Sequence, residues 1–184
     1  MEINLTKALR TEYGTLFDTC TIRPERAAEV EALVRKIDNN SSRYAAVAND
    51  CGVPWYVIAA IHCMESSLGF GGHLHNGDPL SRPTTHVPKG RPPGPGPFTW
   101  EESAADALRL KKLDKWTDWS VAGTLYKLEG YNGFGYRKYH PDVLSPYLWS
   151  YSSHYTRGKY VADGTWSATA GSKQCGAAVV LRRL

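Results

Sequence analysis

From Pro54 to Ser66 the sequence reads Pro-Trp-Tyr-Val-Ile-Ala-Ala-Ile-His-Cys-Met-Glu-Ser, with no charged side chain before Glu65. Pro54 suits a helix start, and Gly69, Gly71 and Gly72 terminate the helix. A helix that is apolar on most of its surface has to be enclosed, by protein or by lipid. This one is far shorter than the roughly 20 apolar residues that cross a bilayer. The rest of the chain must therefore wrap it, and 184 residues suit one domain with a single core.

Similar patterns mark the elements around it. Residues 23–37 open with Pro24 and acidic residues and place Ala28, Val30, Leu33, Val34 and Ile37 on one helical face. Ser41 or Ser42 can cap a following helix that carries Tyr44 and stops at Gly52. Thr99 and Glu102 form a capping-box pattern ahead of Ala104, Ala105, Leu108 and Leu113. Ser120 starts a further helix to about Leu128, closed by Gly130. Between these elements, residues 69–98 form an irregular stretch, and seven of the eleven prolines lie between Pro79 and Pro97. Long loops of this kind tend to be functional or disordered. Beyond Gly130 the aromatic, Gly-rich sequence predicts loops with one short helix, and Val179-Val-Leu reads as a brief strand. The expected fold is a mostly α single domain over residues 1–184, with a long Pro/Gly-rich loop and an irregular aromatic C-terminal part.

Charge and composition narrow the partners. Residues 157–184 hold Arg157, Lys159, Lys173, Arg182 and Arg183 against Asp163 alone, so the whole formal excess of +4 falls there. A basic tail this sparse predicts weak contact with an anionic wall polymer or membrane surface, or a solvated tail with no partner, and is too sparse for nucleic acid. Cys20, Cys51, Cys63 and Cys175 are scattered, with no Cys-x-x-Cys pair for zinc or redox work. The start, Met1-Glu-Ile-Asn-Leu-Thr-Lys, has no apolar leader. Six Trp and eleven Tyr outnumber four Phe, and many cluster between Tyr131 and Tyr160. Such rings stack on sugar faces while their OH and NH groups bond hydroxyls; equally, they pack in cores.

Glu65 carries the chemistry. A carboxylate at the end of an apolar helix is partly desolvated and faces the negative end of the helix dipole, and both effects raise its pKa. A carboxylic acid protonated near neutral pH is what a glycosidic oxygen needs as general acid; a terminal Glu that only caps or salt-bridges is the plainer alternative.

Glu65-Ser66-Ser67 at the end of a buried helix resembles the Glu-Ser signature of goose-type lysozymes and soluble lytic transglycosylases. Glu129-Gly-Tyr-Asn-Gly-Phe-Gly-Tyr136, at the end of a later helix, is similar to their Tyr-Asn-x-Gly element. Residues 100–102 and 145–163 are reminiscent of phage-type lysozyme sequences. The Gly-Leu-Met-Gln motif that usually follows the Glu loop is replaced here by His73-Leu-His-Asn-Gly-Asp-Pro-Leu and the proline-rich stretch. The resemblance implies a lysozyme-like fold that cleaves the β-1,4 bond between N-acetylmuramic acid and N-acetylglucosamine in peptidoglycan. It implies Glu65 as acid, Ser67 bonding Glu65 or substrate, and Tyr131, Asn132, Gly133 and Tyr136 holding the sugars. A monomeric phage endolysin without cofactor is expected, waiting in the host cytoplasm before it acts on the wall; a secreted toxin or tail lysin would read alike.

A hydrolysing enzyme needs a second carboxylate to activate water, roughly 6.5–9.5 Å from the acid if it inverts. Asp78, in a Gly-Asp-Pro turn, is the best candidate, ahead of Glu101, Glu102 and Glu129. A transglycosylase needs none, because the sugar's C6 hydroxyl attacks and leaves an anhydro product. His73, His75 and Asp78 have donor types suited to zinc, but a Pro/Gly loop lends no rigid frame, and no metal is expected. Two rival classes are a cysteine hydrolase using Cys63, which lies at the wrong end of its helix for thiolate activation, and a non-catalytic wall-binding protein.

Overall fold

The computed structural model describes residues 3–184; Met1 and Glu2, the start of the segment read as lacking an apolar leader, lie outside the described residues. The elements are α1 (Lys7–Thr19), a 3-10 turn (Pro24–Arg26), α2 (Ala27–Asp38), α3 (Ser41–Cys51), α4 (Trp55–Ser66), α5 (Trp100–Leu110), a second 3-10 turn (Leu113–Lys115), α6 (Val121–Asn132), α7 (Gly135–Tyr139), α8 (Pro146–Trp149), β1 (Lys159–Ala162), β2 (Thr165–Ser167) and α9 (Ala177–Arg183). With 51% helix against 6% strand the protein is mostly α, as expected. Among the described residues no helix is long and apolar enough to cross a membrane. The chain divides into two compact units, Leu33–Thr117 and the segment up to Ala32 with Asp118–Leu184.

The unit Leu33–Thr117 is built on α4, whose residues from Val57 to Cys63 are all buried. Burying each Val or Ile of this stretch contributes about 1.5–3 kcal/mol. Helix α3 packs on both α4 and α5 and supplies Tyr44, Val47 and Cys51. Helix α5 supplies Trp100, Ala104, Ala105, Ala107 and Leu108, its alanines lining the buried face. The capping box forms as expected: Glu102 N donates to Thr99 Oγ1 at 3.2 Å and Thr99 N donates to Glu102 Oε2 at 2.7 Å. Helix α3 ends at Gly52, whose φ of 73° suits glycine. It begins one residue earlier than expected, with Asn40 in the cap position and both serines inside the first turn.

Residues 69–98 are irregular, yet they have a frame of their own, contrary to expectation. The amides of His73, Thr84 and Phe98 donate to the carbonyls of Asp78, Arg91 and Leu80 at 2.7–2.8 Å. His73 is buried; its Nε2 donates to the Arg82 carbonyl and its Nδ1 accepts from the Ser103 hydroxyl, each at 2.8 Å. Arg91 pairs with Asp106 through two nitrogens, and Asp106 also accepts from His75 Nε2 at 2.8 Å. Side chains that composition suggests for a metal are thus committed to holding the loop.

In the other unit α1 packs against α6, with the Tyr126 hydroxyl donating to the Ile3 carbonyl at 2.8 Å. Ser120 caps α6 as expected, accepting from Gly123 N at 3.2 Å. The helix does not close at Gly130; it continues to Asn132 and stops at Gly133, whose φ is 90°. A single interior glycine costs only about 1 kcal/mol, which the flanking buried Leu125, Leu128 and Glu129 outweigh.

Two C-terminal expectations are overturned. Val179-Val-Leu is helical, in α9, because Ala177, Ala178, Val179 and Val180 all lie fully buried on a helix that packs on α8. Tertiary packing overrides the β preference of paired valines. Gly176 permits the close approach: a Cβ there would sit 2.3 Å from the Leu148 carbonyl oxygen. Nor are residues 157–184 a solvated tail, since α9 belongs to the core, Arg183 pairs with Glu31 and Arg182 lies over Phe17. A hairpin absent from the sequence reading pairs β1 with β2 around Asp163-Gly164. An Asp-Gly pair between short β-prone runs is the signal that could have found it.

If α9 is core, Val180→Ala should lower stability by roughly 2 kcal/mol, read as a drop in the urea midpoint, whereas Arg182→Ala should move it much less. Equal, negligible shifts for both would restore the solvated-tail reading.

Candidate active site

Glu65 is the penultimate residue of α4 and is half-buried, so the helix delivers one carboxyl group from an apolar core to the edge of water. The turn that follows is unusual. Ser67 and Leu68 both have left-handed backbones, with φ of 52° and 59°. Neither is glycine, and a residue held there costs on the order of 1–2 kcal/mol. Consecutive left-handed residues of this type are stored strain, and such strain clusters at functional sites.

Named interactions hold the strained pair. The Ser67 and Leu68 amides both donate to the His62 carbonyl, and Gly69 N donates to the Ser66 carbonyl at 2.9 Å. The Lys36 ammonium donates to the Ser67 carbonyl at 3.2 Å, a cation against the negative end of α4. Leu68 then turns its side chain into the core, while Ser67 stays exposed.

His62, one helical turn before Glu65, is fully buried. Its Nε2 lies 3.0 Å from the Gly69 carbonyl, which can only accept, so Nε2 carries the hydrogen. Its Nδ1, 2.9 Å from the Tyr44 hydroxyl, is then the acceptor, and the ring is neutral. Burial accordingly pushes its pKa down to about 4. Phe70 and Trp100 pack edge-on or tilted against it, and Arg43 lies over Phe70 while pairing with Glu101. His62 is a positioning residue for the helix end. Burial also pushes the neighbouring Cys63 thiol up to about 11, which makes a thiolate nucleophile there unfavourable.

Asp78 is in the same unit, with its carboxylate heavily engaged. Its Oδ2 accepts from the Thr85 and His86 amides at 2.7 and 3.0 Å and from the Thr85 hydroxyl at 3.2 Å. Its Oδ1 accepts from His86 Nδ1 at 2.6 Å. Hydrogen bonds from His86 and then Thr85 hold the Asp78 carboxyl well below the usual carboxylate range. A carboxylate so acidic and so fully bonded is a poor base for water, so the role expected from its turn position meets a group that anchors residues 78–86. Glu101 and Glu102 are likewise occupied, by Arg43 and by the capping box.

The second sequence motif lies in the other unit. Tyr131 and Asn132 form the last turn of α6, half-buried and exposed respectively, and Gly133 makes the helix stop. Tyr136, expected to face a sugar, is 6% exposed. Its ring packs edge-on against Tyr160 and Trp166 and its hydroxyl accepts from Tyr160 N at 3.4 Å, so it supports the hairpin. Glu129 is 2% exposed and accepts on Oε2 from the Tyr13 hydroxyl at 2.6 Å and from Arg137 Nε at 2.9 Å. Burial raises its pKa, and Arg137 and Tyr13 offset part of that rise. Arg137 Nη1 also donates to Glu12 Oε1 at 2.8 Å. The partners Tyr13 and Arg137 were not picked out from the sequence, because neither lies at helical spacing from Glu129.

Comparison of the chain with protein-family models, with curated proteins and with solved structures returns no match.

Two outcomes test these assignments. Because the pKa of His62 is lower in the fold than in the unfolded chain, its stabilising contribution is complete above about pH 6.5. That contribution is lost as the pH falls towards about 4. Urea midpoints at pH 7 and pH 5 should differ less in His62→Gln than in wild type, and identical pH slopes would remove His62 from this role. Asp78→Asn should expose the Thr85 and His86 amides to faster hydrogen exchange at neutral pH. In the wild type the protection should persist through the usual carboxylate range, around pH 4, because the Asp78 carboxyl is held well below it; unchanged exchange in the variant would contradict the anchoring role.

Proposed function

We propose that the protein cleaves the β-1,4 bond between N-acetylmuramic acid and N-acetylglucosamine in peptidoglycan, with Glu65 as general acid, in the manner of a phage endolysin. The observation that carries the reading is a half-buried carboxyl group on a rigid, otherwise apolar helix, followed by a strained turn that is bonded on both sides. Glu65 protonates the leaving glycosidic oxygen as the bond to the anomeric carbon breaks, and a water molecule adds to that carbon and gives up a proton to solvent. Ser67, exposed at the same turn, is the group proposed to hold substrate beside Glu65, and the resemblance of the second motif gives Tyr131, Asn132 and Gly133 a sugar-holding role in their own unit. Tyr136, packed against Tyr160 and Trp166, supports the hairpin instead.

The engagement of Asp78 favours a second version of the reaction. With Asp78, Glu101, Glu102 and Glu129 each committed to other partners, a mechanism that needs one carboxyl group is simpler. In it Glu65 protonates the leaving oxygen and then, as carboxylate, takes the proton of the muramoyl C6 hydroxyl as that oxygen attacks the anomeric carbon. The product is a 1,6-anhydro sugar.

Mass spectrometry of purified peptidoglycan digested by wild type, Glu65→Gln and Asp78→Asn tests both. Wild type should release muropeptides, and Glu65→Gln should lower the rate by roughly 10²–10⁴-fold, the usual worth of a general acid. Equal digestion by these two proteins, or by neither, would overturn the proposal. Reducing ends that vanish in Asp78→Asn would select hydrolysis, and anhydro ends that persist in it would select transglycosylation.

A further inference from the structure

Asp78 is too heavily bonded to act as a base itself, but one of its bonds leads outwards. Its Oδ2 accepts from the Asn76 side-chain amide at 3.3 Å, from the Thr85 and His86 backbone amides and from the Thr85 hydroxyl. Its Oδ1 accepts from His86 Nδ1 alone, at 2.6 Å. The Asp78 side chain is 10% exposed and that of His86 is 80% exposed. The carboxylate is thus fixed in the protein, and the imidazole it holds stands in water.

This pairing decides which ring nitrogen can take a proton. The carboxylate only accepts, so Nδ1 carries the hydrogen, and in a neutral ring Nε2 then holds the lone pair. Nε2 has no partner among the described residues. The other histidines of this unit are used differently. His62 and His73 are buried and bonded through both nitrogens, and His75 lies between Asp106 and Ser103. An exposed imidazole oriented by a buried carboxylate is an arrangement for general-base catalysis, in which the carboxylate fixes the tautomer and stabilises the imidazolium that forms.

Backbone bonds tie the pair to the chain that follows Glu65. Gly72 bridges to Pro79, and His73 N donates to the Asp78 carbonyl at 2.7 Å. A Cβ on Gly72 would sit 2.7 Å from the Gly77 carbonyl oxygen, so glycine lets the two segments lie this close. Asn76 braces the other side, accepting from Asp78 N on Oδ1 at 3.0 Å and donating to the Val87 carbonyl at 3.3 Å. The stretch that leaves the Glu65 turn and the stretch that carries His86 therefore belong to one hydrogen-bonded loop.

We propose that His86 is the general base of the hydrolytic reaction and that Asp78 is the positioning residue that orients it. The role rests on the function proposed above, in its hydrolytic form. Glu65 gives its proton to the leaving oxygen, and a water oxygen bonds to the anomeric carbon as the glycosidic bond breaks. The proton that this water loses passes to His86 Nε2 and from there to solvent, while the Glu65 carboxylate regains a proton from solvent. The reaction then needs no second free carboxylate.

The test is mass spectrometry of purified peptidoglycan digested, in water labelled with heavy oxygen, by wild type, His86→Asn, His86→Ala and Glu65→Gln. Asparagine keeps a donor for Asp78 Oδ1 but lacks the base. Both His86 variants should form labelled reducing ends about 10²–10⁴-fold more slowly than wild type, the usual worth of a general base. Added imidazole should recover part of the rate in His86→Ala and none in Glu65→Gln. A readout apart from activity is the ring tautomer: with the ring neutral, nitrogen NMR should report Nδ1–H for His86 in the wild type and a mixture of tautomers in Asp78→Asn. Wild-type rates in His86→Asn, no recovery with imidazole, or an Nε2–H tautomer in the wild type would each overturn the assignment. Anhydro ends alone from the wild type would overturn it and leave Glu65 as the acid. Digestion that does not depend on Glu65 would overturn the proposed function, and the His86 role with it.

Discussion

The enclosure of α4 is the constraint on which its unit depends. A helix buried from Val57 to Cys63 cannot leave a polar side chain unbonded within that stretch, and His62 is the one it contains. The ring meets the requirement by staying neutral, donating to Gly69 and accepting from Tyr44. That solution has a structural consequence. The bond to Gly69 reaches beyond the helix end and draws the chain back across it, so the backbone must reverse within Ser67 and Leu68. The left-handed pair follows from the burial of the helix, whose last turn places Glu65 immediately before it.

The acidic side chains divide by what they bond. Asp78 receives two backbone amides, a hydroxyl and an imidazole, which stabilise its ionised form and fix a proline-rich loop. Glu101 and Glu102 are stabilised as anions by Arg43 and by the start of α5. Glu129 differs: burial raises its pKa, and only the combined pull of Arg137 and Tyr13 opposes that. A general acid has to keep its proton near neutral pH, and the bonds on Asp78, Glu101 and Glu102 all act in the opposite direction. Asp78, Glu101 and Glu102 are therefore poor proton donors.

Much of the helical frame was legible in the sequence, because it rests on local rules. Thr99 with Glu102, Ser120 as cap and Gly52 as stop are each read from a few adjacent residues, and each stands where expected. Helix α1 lies outside the segments read as helical, and beyond Gly130 the expected loops hold short helices, while Val179-Val-Leu turns out helical because packing outvotes propensity. Val179 and Val180 favour strands over helices, yet α9 packs on α8 at a distance that only a glycine at position 176 permits against the Leu148 carbonyl. Glu65 was visible because an acid stands out at the end of an apolar run. Its supports were not: Lys36 lies 31 residues before Ser67 in the chain, and Tyr13 lies 116 before Glu129. Composition suggested His73, His75 and Asp78 as metal donors, but their partners Ser103, Arg82, Asp106 and His86 only become apparent when the loop is folded.

The two sequence motifs share one physical device. In each, a buried polar side chain near the end of a helix bonds a group a few residues beyond that end, and the intervening backbone turns through positive φ, at strain for Ser67 and Leu68 and freely for Gly133. His62 does this across Ser67 and Leu68, and Glu129 does it across Gly133 by pairing with Arg137 of α7. A buried ion pair of this kind is seldom the most stabilising choice, since apolar residues of similar volume often serve stability as well or better. Its advantage is direction: a carboxylate and a guanidinium accept one mutual geometry, while packed aliphatic groups accept several. The Glu129–Arg137 pair beside Asn132, and the His62–Gly69 bond beside Ser67, each fix the backbone from which an exposed polar residue projects. A cavity bounded by the same Glu129–Arg137 pair takes its shape from that one geometry.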